Sequence, residues 1–126
     1  TDVTLVSFGK IMKTAIEACE ILEKEGVSVE LIDLRTIRPL DIDTIIQSVK
    51  KTNRLVILEE AFPVASISGE IAYRVQKHAF DYLDAPVQRI TQTDTPFAFA
   101  PTLIDAALPG PDDVVRRIKE SMYMLK

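Results

Sequence analysis

The feature that most restricts the fold is an alternation along the chain. Short β-branched apolar runs, each too short for a helix, are separated by segments whose apolar residues recur at helical spacing. Val3-Thr4-Leu5-Val6-Ser7-Phe8 is the first run, read as a strand buried on both faces, and Gly9 punctuates it. Ile11, Ala15, Ile16, Cys19 and Leu22 then mark one face of a helix. It stops at Gly26, which can take left-handed backbone without a Cβ clash. Val27 to Ile32 reads as a second strand, followed by an extended connection through Leu40. Pro39 biases Arg38 away from helix, and Asp41 is placed to cap a helix carrying Ile42, Ile45, Ile46 and Val49.

Arg54 to Leu58 is the third strand, ending at Glu59-Glu60. A loop through Phe62-Pro63 leads to a helix with Ile67, Ile71, Val75 and Phe80 on its stripe, capped by Ser66 or Ser68. Pro86 opens a fourth strand, Val87 to Thr91. A Pro-punctuated stretch from Gln92 to Pro111 follows, a length of loop usually functional or packed on a partner. Asp112 or Asp113 begins the last helix, which carries Val114, Val115, Ile118, Met122 and Leu125. Strands buried on both faces and joined by helices call for helices on both sides of the sheet. The expected fold is therefore α/β: a three-layer α/β/α sandwich with a mostly parallel sheet and right-handed crossovers. At 126 residues the chain is expected to form one domain spanning residues 1–126. Because it begins with Thr1 and enters a strand pattern almost at once, it reads as an excised domain or processed fragment.

Composition removes several function classes. Net charge is −4, with lysine and arginine scattered and only short pairs such as Lys50-Lys51 and Arg116-Arg117, so there is no basic footprint for nucleic acid. The single cysteine, Cys19, allows neither an intrachain disulfide nor a cysteine metal cluster, and its place on the apolar stripe points to packing. One cysteine fits a reducing cytoplasm or an organelle matrix. No apolar run approaches the roughly 18 residues of a membrane span.

A search for chemistry is mostly negative. The turn after the first strand, Ser7-Phe8-Gly9-Lys10, has one glycine and matches neither the dinucleotide fingerprint nor the P-loop. Glu59 and Glu60 lie at a strand end, but neighbours on a strand point to opposite faces and cannot jointly flank one bond. One of them can face a cleft; a structural or interface role is expected rather than catalysis. Asp33 and Asp94 also fall near strand ends without completing a metal site. His78, the only histidine, sits late in a helix beside Lys77, where a cation suits the helix dipole. No serine occupies a Gly-x-Ser-x-Gly elbow. A small flavodoxin-like phosphoacceptor would need clustered carboxylates at adjacent strand ends, and the first strand ends in Ser7-Phe8 instead.

Three stretches in register carry a family resemblance: Ile32-Asp33-Leu34-Arg35-Thr36-Ile37-Arg38-Pro39-Leu40-Asp41, Lys51 through Pro63 with its Leu55-Val56-Ile57-Leu58-Glu59-Glu60 centre, and Ala79 through Pro86 continuing to Arg89-Ile90-Thr91. Together they resemble the C-terminal domain of the transketolase-like β subunits of thiamine-diphosphate-dependent 2-oxo acid dehydrogenases, over essentially the whole chain. The Arg-Thr-Ile-Arg-Pro-Leu-Asp wording suits the pyruvate group best, with the branched-chain and acetoin groups, or a stand-alone interaction module, as alternatives. The resemblance implies an oxidoreductase that decarboxylates its 2-oxo acid and acylates lipoyl groups. It also implies that thiamine diphosphate and magnesium bind between the α subunit and the N-terminal domain of β, upstream of Thr1. No catalytic, cofactor or metal residue is therefore expected here, and the chain alone is expected to be inactive.

What the resemblance implies for this chain is interface, with the α subunit, a second β subunit and the small subunit-binding domain of the acyltransferase as partners. Asp84 matches a docking position of the family, and the terminal carboxylate at Lys126 is a second contact. The alternative for Asp84 is that it only brackets the turn before Pro86. Glu59, Phe62 and Pro63 resemble a loop packed near the subunit interface. The family carries more glycine there than Ala61, Ala65, Ser66 and Ser68 around Gly69. The family's sheet also has an antiparallel edge strand upstream, so an exposed edge able to pair between copies is expected.

Overall fold

The computed structural model describes residues 1–35, 40–60, 66–91 and 108–123. Four strands are described: β1 (Val3–Ser7), β2 (Val29–Asp33), β3 (Leu55–Leu58) and β4 (Gln88–Ile90). Among the described residues three α-helices join them in sequence, α1 (Met12–Lys24), α2 (Ile42–Thr52) and α3 (Ile67–Ala79), and a fourth, α4 (Pro111–Ser121), follows β4. The strands form one sheet in the order β2-β1-β3-β4, and every pair is parallel.

Two cores lie on opposite faces of that sheet, and side-chain alternation assigns each strand residue to one of them. Val3, Leu5, Val56 and Leu58 pack with Ala15, Ala18 and Leu22 of α1 and Val114, Val115 and Ile118 of α4. Val6, Leu55 and Ile57 pack with Ile45, Ile46 and Val49 of α2 and Ile71 and Val75 of α3. This is the three-layer sandwich expected from the alternation. β1 and β3 are apolar on both faces because each feeds both cores.

The helix stripes differ from expectation in two places. Ile16 is 46% exposed and Phe80 is 64% exposed, while Ala18 and Ala79 take the buried positions. Residues 15, 18 and 22 form the inward stripe of α1, and residues 68, 71, 75 and 79 that of α3. Ile16 lies about 100° round the helix from Ala15. Phe80 falls in a short 3-10 turn, Phe80–Tyr82, beyond the end of α3.

One polar chain crosses the second core. Thr4 Oγ1 lies 2.7 Å from both Ser48 Oγ and Thr52 Oγ1, and Thr52 donates to the Arg54 carbonyl at 3.0 Å. Each hydroxyl can then donate once, ending on a carbonyl, so the buried hydroxyls of Thr4 and Ser48 are satisfied.

Asp41 caps α2 as the sequence predicts: its Oδ1 accepts from the Thr44 N–H at 3.2 Å, and its Oδ2 accepts from the Thr44 hydroxyl at 2.6 Å. These bonds, the hydroxyl's first, hold its carboxyl below the ordinary range. A depressed folded-state value contributes stability above the unfolded-state value and loses it as pH falls through the folded one. Asp41→Ala should therefore lower the melting temperature at neutral pH, and the gap from the parent chain should close on acidification below pH ~4. Thermal melts across pH read this directly. A gap that persists unchanged in acid would show that the cap acts without its charge.

Candidate docking surface

At the carboxyl edge of the sheet, the default ligand site of open α/β folds, several of the described polar groups bond within the chain. The Ser7 hydroxyl donates to the Leu58 carbonyl at 2.8 Å, and the Ser7 carbonyl accepts from the Leu34 N–H at 2.9 Å. Glu59 is 1% exposed. Its Oε1 accepts from the Ser68 N–H at 3.2 Å and from the Ser68 hydroxyl. Arg89 Nη1 approaches the hydroxyls of Ser66 and Ser68 at 3.4 and 3.5 Å. Ser66 is the N-cap residue of α3 but makes no side-chain cap bond. Glu59 supplies that acceptor from the end of β3 instead.

The sequence leaves Glu59 a structural or interface role, and in the structure its carboxyl is turned into the chain, where it ties α3 to β3. Among the described residues no three His, Cys, Asp or Glu side chains converge on a possible metal position. Among the described residues at this edge, Ser7 and Glu59 are engaged internally and Asp33 is exposed.

Cys19 is only partly buried, packed against the first core rather than inside it. Burial, and then the neighbouring Glu20 carboxylate, push its thiol up to about 11, which makes it a poor nucleophile at neutral pH. His78 is exposed on α3.

The far end of α3 is different. A groove of about 550 Å³ opens there, lined by Gln76, Phe80, Leu83, Pro86, Val87 and Tyr123, with Asp84 on its wall. Phe80 and Tyr123, on its lining, are 64% and 67% exposed, two large apolar side chains in water. Asp84 is exposed, and among the described residues its carboxyl makes no hydrogen bond or ion pair.

The backbone of Asp84 is fixed even though its side chain is not engaged. Asn53 follows α2 in left-handed backbone (φ 65°), and its N–H bonds the Val49 carbonyl at 2.7 Å. From there its side-chain amide donates to the Tyr82 carbonyl at 2.7 Å, and its carbonyl accepts from the Asp84 N–H at 2.8 Å. The Tyr123 hydroxyl lies 3.4 Å from the Asp84 carbonyl, and Lys50 sits 5.2 Å from the Tyr82 ring centroid. The turn before Pro86 is thus held by Asn53 rather than by the Asp84 side chain.

The structure does not bring the expected interface residues together. Glu59 and Asp84 lie at opposite ends of α3, a helix of 13 residues and so about 20 Å long. Phe62, Pro63, Asp94 and Lys126 lie outside the described residues. Asn53 and Phe80 were not singled out for this surface from sequence. A left-handed asparagine after Lys50-Lys51-Thr52 is a helix-stop signal, but nothing local shows what its side chain reaches.

Comparison with known proteins adds the wider relationship. Residues 1–114 match the family described as "Transketolase, C-terminal domain". Over 122 residues the chain is 52% identical to the pyruvate dehydrogenase E1 component subunit beta of Rhizobium meliloti (strain 1021), covering 97% of this chain and 26% of that protein. It is 50% identical over 122 residues to the mitochondrial pyruvate dehydrogenase E1 component subunit beta-1 of Oryza sativa subsp. japonica, covering 97% of this chain and 33% of the relative. The chain thus spans about a quarter to a third of the length of these relatives. In fold it resembles a split-gene transketolase, described as an inactive beta4 tetramer, with a TM-score of 0.82, 23% identity, and coverage of 99% of this chain and 39% of that one. Among the described residues no helix is long and apolar enough to cross a membrane.

Proposed function

Since the chain belongs to the transketolase C-terminal domain family, we propose that it serves as the C-terminal assembly and docking domain of a pyruvate dehydrogenase β subunit. In this reading residues 1–126 are one domain, and the thiamine-diphosphate-binding domain of the subunit precedes it. The enzyme decarboxylates pyruvate and passes the acetyl unit to lipoyl groups of an acyltransferase. Thiamine diphosphate and magnesium supply that chemistry when bound. No residue described here is assigned to them, so no step of the reaction is placed in this domain. The bacterial cytoplasm or an organelle matrix is the compartment, in keeping with relatives from both bacteria and mitochondria.

The α subunit, a second β subunit and the acyltransferase's subunit-binding domain are its partners. The observation that carries the docking role is the unengaged Asp84 carboxyl on the wall of an apolar groove, held in place by Asn53. A carboxylate so placed steers a basic partner and makes its binding sensitive to salt. Asp84→Lys should weaken binding to the subunit-binding domain by about tenfold, roughly 1.4 kcal/mol, chiefly through slower association. Because Asp84 is exposed, the fold should be unchanged by circular dichroism. Affinity equal to that of the parent chain would remove Asp84 from the interface.

A further inference from the structure

No further inference is drawn: the strongest candidate, the outer edge of β2 with the hollow of about 380 Å³ lined by Cys19, Glu23 and Val29 beside it, adds nothing to the edge strand already expected of the family, and nothing in the structure shows what covers it.

Discussion

Glu59→Leu should lower the unfolding free energy by roughly 2–3 kcal/mol, while Glu59→Gln should cost about 1 kcal/mol or less. The difference follows from what is left behind. Leucine removes the acceptor for the Ser68 N–H, which lies in the buried first turn of α3 with no helical carbonyl to turn to. The Ser68 hydroxyl can turn to Ser66 Oγ, 2.9 Å away, so the orphaned amide carries most of the loss. Glutamine keeps an amide oxygen where Oε1 stands and retains both bonds. Urea unfolding of the three proteins separates the cases. Equal losses for leucine and glutamine would mean that charge, rather than acceptance by that oxygen, holds α3 to β3.

Ile57→Ala should cost about 3–4 kcal/mol. Ile57 is fully buried in β3, which pairs with β1 on one side and β4 on the other, and its side chain enters the core beneath α2 and α3. A cavity there has walls on every side, so little can collapse into it. Ile57→Val should cost only about 1 kcal/mol, and Ile16→Ala, at a position 46% exposed, about 0.5 kcal/mol or less. Chemical denaturation midpoints at a common slope give the ranking. A loss for Ile57→Ala no larger than that for Ile16→Ala would contradict the two-core arrangement.

Much of this fold is legible in the sequence because the residues that feed both cores are also the ones with the strongest local signal. Val3, Leu5, Val6, Leu55, Val56, Ile57 and Leu58 are all apolar, and a parallel sheet covered on both faces needs that pattern. Asp41 was legible for a similar reason, since its bonds are made within three residues.

What sequence missed depends on small or polar residues packed across long separations. A helix lying close to a sheet buries alanine, and a search for large apolar residues then selects Ile16 and Phe80 in place of Ala18 and Ala79. The chain from Thr4 to Ser48 and Thr52 closes over more than forty residues. The four-residue spacing of Ser48 and Thr52, in phase with Ile45 and Val49, is its one local trace. Asp84 stood out through family resemblance, whereas its setting did not. The Asn53 clamp and the groove beside Asp84 exist only once α2, α3 and the end of α4 are brought together.

The central claim is that this domain contributes a docking surface to its enzyme, and calorimetric titration of the full chain with the acyltransferase's subunit-binding domain at two salt concentrations tests it most directly. The expected result is saturable binding that weakens by about tenfold or more between roughly 50 and 500 mM salt, as an interface steered by Asp84 requires. Absence of binding at low salt, or an affinity indifferent to salt, would contradict it.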